Sequence, residues 1–248
     1  MTIPLDKING MPAYSTYFPK PPAIYKGVKS HQIHFKADKN AISRVLPSCF
    51  EPSDDRLCIA SGMSIEWCSN YGQFEESTLS VKCKYKNYEG YFCVIAFLNS
   101  KSSIPAGREI YGTPKVFADI KVGMYERIMY TNTEIANQSI MNIRSTMEKK
   151  IDIEQLPKTE HSWRLKVIPG AEKDTLDVMQ IIDGKDVQSD QTFKTIQYGN
   201  GVVEFNPMPI YDLSDFTPEE YYGAYYIETD FTENYGKVVY DFLKKDTK

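Results

Sequence analysis

Lys115 stands in the run Gly107-Arg108-Glu109-Ile110-Tyr111-Gly112-Thr113-Pro114-Lys115-Val116-Phe117, with a proline before it and two apolar residues after it. A lysine in such an apolar, turn-punctuated segment is uncommon unless its charge is paired. Held away from water, an amine gives up its proton more readily and becomes a nucleophile. The competing reading is structural: the aliphatic stem packs while the ammonium reaches solvent. Local composition alone favours that second reading, so the rest of the chain has to decide.

Glu75 and Glu76 are the next residues able to do chemistry, as proton carriers. Adjacent residues entering a strand point to opposite faces, so at most one of them can face a cavity. Without further context both read as solvated charges. His31 and His34 invite a metal, but an i, i+3 pair in a strand puts its imidazoles on opposite faces. His161 is the only other histidine and no His/Cys cluster completes a ligand set. No Gly-x-Ser-x-Gly elbow, Gly-x-Gly-x-x-Gly fingerprint or phosphate-binding loop appears, so serine, dinucleotide and nucleotide chemistry lack support.

The elements that must position these residues are mostly strands. Thr78–Lys86 alternates strictly, with Leu79, Val81, Cys83 and Tyr85 on one face, and Asn87–Gly90 turns it into the apolar run Tyr91–Leu98. Trp163, Leu165 and Val167 alternate again, and Leu176–Ile182 is a further strand. Gly199-Asn200-Gly201 reads as a turn between Thr192–Tyr198 and Val202–Phe205. Asp38 caps a short helix that ends before Pro47, and Tyr235, Val238, Val239 and Phe242 predict a helix over Thr232–Leu243. Residues 1–24, rich in proline, glycine and aromatics, read as an extended arm on one domain spanning 1–248. The class expected is α+β, mostly antiparallel β.

Composition narrows the partners. With 29 basic and 33 acidic residues, net −4, the chain has no electrostatic reason to seek nucleic acid or an anionic membrane. No run of about 18 apolar residues crosses a bilayer as a helix, and no secretory leader opens the sequence. Five cysteines without a Cys-x-x-Cys read as reduced thiols in a cytoplasmic protein.

At Gly107-Arg108-Glu109, followed after four residues by Pro114-Lys115, the sequence resembles the acetoacetate decarboxylase family. Supporting landmarks are Phe97-Leu98, Glu76-Ser77, Leu165–Pro169 and Val239–Leu243, so the likeness runs along the whole chain and is densest around Lys115. The resemblance implies that Lys115 forms a Schiff base with a substrate ketone, a use of a desolvated lysine for which this same family is a standard example. It also implies a catalytic Glu76 and a structural role for Gly107, Arg108, Glu109 and Pro114. Substrate contacts are implied at Phe97, Val116 and Ser61. The implied fold is a closed β-barrel-like antiparallel core with a few peripheral helices, in a homo-oligomer that needs neither cofactor nor metal. The implied substrate is a small 3-oxo acid or another oxo acid.

Three departures stand against the pattern. Val116 replaces a second lysine, Ser61 replaces a second glutamate, and the expected arginine near the first strand is missing, with Lys26 or Lys29 as the nearest cations. An imine also serves aldol chemistry and dehydration, and a related binding module would keep the cavity without forming one. All three readings stay open on sequence.

Overall fold

The computed structural model describes residues 3–157 and 160–244. The first two residues of the expected arm lie outside that range; residues 3–22 run largely exposed up to the first strand. The Asn70 amide donates to the carbonyls of Lys20 and Pro22, at 3.2 and 3.4 Å, where the arm enters the sheet.

In chain order the elements are β1 (Ala23–Lys36), α1 (Lys39–Val45), β2 (Glu51–Pro52), β3 (Leu57–Cys68), β4 (Phe74–Tyr85), β5 (Tyr88–Leu98), α2 (Ser103–Ala106), β6 (Lys115–Phe117) and β7 (Asp119–Tyr125). There follow β8 (Ile128–Ile135), β9 (Gln138–Lys150), β10 (His161–Pro169), β11 (Leu176–Asp183), β12 (Gln188–Phe205), β13 (Glu220–Glu233) and β14 (Lys237–Asp241). As expected, Asp38 caps α1, its carboxylate accepting from the N–H groups of Asn40 and Ala41.

One sheet runs in the order β14-β11-β10-β5-β4-β3-β1-β13-β12-β9-β8-β7, with β2 on β4 and β6 on β5. Pairing is antiparallel except where β6 and β10 join β5. The sheet is not closed, which corrects the expected barrel. Closure requires the end strands to exchange main-chain bonds at a common stagger. Here β7 folds across β4 instead, and the Val122 N–H donates to Glu75 Oε1 at 3.1 Å.

The two faces of the β1-β3-β4-β5 layer bury different groups. Phe35, Leu79, Val81, Phe97 and Trp163 belong to the main core on one side. Tyr25, Val28, Ile65, Phe74 and Leu98 form a smaller cluster on the other. The alternation expected for Thr78–Lys86 holds, with Leu79, Val81 and Cys83 fully buried.

Two expected elements are replaced. The segment predicted as a C-terminal helix is the end of β13, a turn, and β14. Four apolar positions do not separate a helix from a short strand, and valines such as Val238 and Val239 suit the strand. The turn expected at Gly199-Asn200-Gly201 is the middle of β12, paired there with β9. A β-carbon on Gly199 would lie 1.9 Å from the Thr146 carbonyl oxygen, and one on Gly201 2.2 Å from Ile33 Cδ1. These glycines mark close backbone approach rather than reversal.

Candidate active site

Lys115 opens β6, opposite Ala96 on β5, and Val116 is opposite Phe97. Strand alternation then sends the Lys115 side chain to the smaller cluster and Val116 to the main core. The residues before it serve that placement. A β-carbon on Gly107 would lie 2.3 Å from Lys115 Cδ, so glycine there leaves room for the lysine stem. Gly112 adopts φ 70°, and a β-carbon on it would also meet the Lys166 backbone at 2.7 Å. The Pro114 carbonyl accepts the Ala96 N–H at 3.2 Å, and Arg108 Nη1 donates to the Lys115 carbonyl at 3.2 Å. Glu109 stays exposed on the turn.

The Lys115 amine lies 3.3 Å from Glu76 Oε2 and donates to Ser103 Oγ at 2.8 Å. Both charged side chains are largely withdrawn from water, at 11% and 13% exposure. Ser103 comes from α2, just before the turn that carries Gly107. Beneath the amine is the Phe74 ring, its centre 6.0 Å away. Phe74 meets Tyr25 edge-on, and Tyr25 stacks on Phe231 at 4.7 Å.

From Tyr25 the pocket continues to Glu233 at the end of β13, the Tyr25 hydroxyl donating to Glu233 Oε2 at 3.0 Å. Glu233 is half-buried at this end of the strand. Burial raises its pKa above the usual carboxylate range, against the lowering charges of Lys115 and Arg164. Arg164 projects from the same face of β10 as Ser162, opposite the Trp163 side. Cys93 is no rival nucleophile, because burial pushes its thiol up to about 11.

The expected site residues separate cleanly. Glu76 and Lys115 come together. Glu75 faces the other way and holds β7, its N–H also donating to Asn99 Oδ1 at 2.8 Å. Ser61 shares the face of Glu76 but pairs with Thr78, 2.6 Å between hydroxyls, in the wall of a cavity of about 670 Å³. Val28, Met63 and Phe231 border that cavity and also pack in or against the smaller cluster that Lys115 faces; Lys115 and Glu76 are not in its wall. Phe97 and Val116 are turned into the main core, a correction to both as substrate contacts. Lys26 and Lys29 pair with Asp230 and Glu66 at the exposed surface, so neither supplies the missing arginine. Among the described residues no group of acidic, histidine and cysteine side chains could hold a metal ion. His31 is instead buried between the hydroxyls of Ser145 and Thr131.

Sequence reasoning missed Ser103, Glu233 and Arg164. Each is a single residue distant in sequence from the lysine or outside its motif, and the pairing of β1 with β13 and of β5 with β10 brings two of them in.

Comparison with known proteins follows the same lines. The family model described as acetoacetate decarboxylase matches residues 9–243. The chain is similar to an acetoacetate decarboxylase of Acidiphilium cryptum, 24% identical over 241 residues that cover 94% of this chain and 95% of that one. It is similar to another from Clostridium botulinum, 22% identical over 248 residues covering 94% and 95%. Among solved structures, the acetoacetate decarboxylase of Legionella pneumophila superposes with a TM-score of 0.88 at 24% identity, covering 97% and 96% of the two chains. An enduracididine biosynthesis enzyme, MppR, complexed with pyruvate superposes at 0.79 with 17% identity, covering 93% and 95%.

Proposed function

The chain belongs to the acetoacetate decarboxylase family, and on that premise we propose that it is a carboxy-lyase removing CO2 from a small 3-oxo acid through an imine on Lys115. The observation that carries the reading is the Lys115 amine held between the Glu76 carboxylate and the Ser103 hydroxyl in a largely buried pocket.

In this reading Glu76 takes a proton from the Lys115 ammonium, and the free amine attacks the ketone carbon. The carbinolamine takes a proton from solvent and loses water to an iminium. That cation accepts the electron pair of the breaking C–C bond, so CO2 leaves and a neutral enamine remains. Glu76 returns its proton to the enamine carbon, and water hydrolyses the product iminium to the ketone and the Lys115 ammonium. The sum consumes one proton and releases one ketone and one CO2. Ser103 holds the amine in line during these steps.

A second reading keeps the imine and changes the outcome to aldol chemistry or dehydration. Ser61 favours it, because a hydroxyl bonded to Thr78 stands where the resemblance leads to a carboxylate.

The test is reductive trapping. Incubated with acetoacetate or pyruvate and then borohydride, the protein should gain the adduct mass on Lys115, with CO2 evolved from acetoacetate. Lys166, half-buried beside Gly112 with its pKa lowered by burial, is the control nucleophile. Lys115→Ala should abolish the adduct and Lys166→Ala should keep it; the reverse result moves the nucleophile. An adduct without CO2 selects the second reading.

A further inference from the structure

Buried polar groups without partners are costly and few, so a cluster of them points to a missing ligand. Among the described residues seven buried side-chain polar atoms lack a hydrogen-bond partner, and four belong to three residues: Tyr71 Oη, Tyr111 Oη, Arg164 Nε and Arg164 Nη1. All three lie within reach of the Glu233 charge. The charge of Glu233 acts on both tyrosine hydroxyls, and that of Arg164 acts on Glu233, Tyr111 and Cys93. Tyr71 also meets Phe74 edge-on at 6.4 Å, the ring beneath the Lys115 amine. The guanidinium is accommodated by Gly184, where a β-carbon would lie 2.4 Å from Nη1.

Charge counting sharpens this. Lys115 is balanced by Glu76 at 3.3 Å. Arg164 is half-buried and makes no contact ion pair among the described residues, although the Glu233 carboxyl lies within reach of its charge. Every unsatisfied atom in the cluster can donate a hydrogen bond. The cluster therefore presents four donor atoms with no acceptor, which an anion with several oxygens would supply.

We propose that Arg164, Tyr111 and Tyr71 form the subsite that binds the carboxylate of the oxo acid while its ketone faces Lys115. The assignment rests on the Lys115 reading for the identity of the acid, and it supplies the cation that Lys26 and Lys29 do not. Glu233 borders the subsite, where burial favours its neutral form over the ionised one that would repel the ligand. The groups facing Glu233 are Lys115 on β6, Glu76 on β4, Arg164 on β10 and Tyr25 on β1.

The subsite is tested without any imine by using butyrate, which has the carboxylate but no ketone, beside neutral butyramide. Butyrate should raise the melting temperature of the whole protein and butyramide should not. Arg164→Gln and Tyr111→Phe should each weaken butyrate binding roughly 10- to 100-fold, the effect of losing a hydrogen bond to a charged group. Glu233→Gln should remove the fall in butyrate affinity with rising pH. Unchanged butyrate affinity in both Arg164→Gln and Tyr111→Phe, or equal stabilisation by butyramide, overturns the subsite. Trapping separates the two proposals. If Arg164→Gln still traps acetone on Lys115 while losing its preference for pyruvate over acetone, the subsite stands beside the imine. A protein that binds butyrate through Arg164 yet traps no carbonyl compound keeps the subsite and loses the lysine chemistry.

Discussion

At residue 107 the space that a β-carbon would take is filled by the Lys115 stem, 2.3 Å from the ideal position. The crowded atoms belong to a flexible side chain, so Gly107→Ala should fold, with a melting temperature within a few degrees of the parent. The lysine must swing to make room, away from Ser103 Oγ and Glu76 Oε2. Displacement of a reacting group by about 1 Å costs roughly 100-fold in rate. Gly107→Ala is therefore expected to lower the rate of reductive trapping by about that factor; stability and trapping falling together would show a collapsed pocket instead. The meeting of Lys115 and Glu76 was legible because a contiguous motif singled out the lysine and the family resemblance singled out Glu76; the strand-face argument said only that Glu75 and Glu76 would part. Glu233, Arg164 and Ser103 were not. Nothing in their neighbours' spacing marks them, and they enter the pocket only through the strand order and the α2 turn.

For elements, the sequence read well where one face is buried and the other wet. β4 shows that alternation, and the apolar run Tyr91–Leu98 matches β5, a central strand flanked on both edges. It read poorly where glycine has two uses. In β12 the pair Gly199 and Gly201 looks like a reversal, but what it permits is contact with β9 and with Ile33. The obstacle at Gly199 is backbone, the Thr146 carbonyl oxygen, which cannot rotate aside. Gly199→Ala should accordingly cost about 2 kcal/mol or more in denaturant unfolding, within the range for overpacking. A turn at this site would tolerate alanine with a far smaller loss, so the same measurement distinguishes the two pictures. The helix expected at the C-terminus failed for a related reason: its apolar period was sampled over too few residues to exclude a strand.

Over the whole molecule, the two histidines of β1 make stability depend on pH. Burial lowers both to about 4, from the ordinary 6.5; for His31 the charge of Arg144 adds to the effect. The unfolded chain thus binds more protons than the folded one between those values. Their contribution is complete above about pH 6.5 and is lost as pH falls through about 4. A difference of this size is worth about 3 kcal/mol per histidine at the acid end. Melting temperature should fall steadily from pH 6.5 to 4, and His34→Gln should flatten the slope; an unaltered slope in that variant would exclude His34 as a source. The strand-dominated class was legible from patterning, while the open sheet was not, because closure depends on whether the two end strands meet.

Strand alternation at 115 and 116 has a consequence for how such sequences diverge. Residue 116, although chemically next to the lysine, answers to the main core, and so does residue 97 across from it. These two positions are free to drift together under a volume constraint, independently of any demand made by a substrate. Residues 103 and 107 lie under the opposite constraint, since one touches the amine and the other makes room for its stem. A β-carbon added at 107 would therefore be felt first by the lysine stem, and a change of volume at 116 first by the main core.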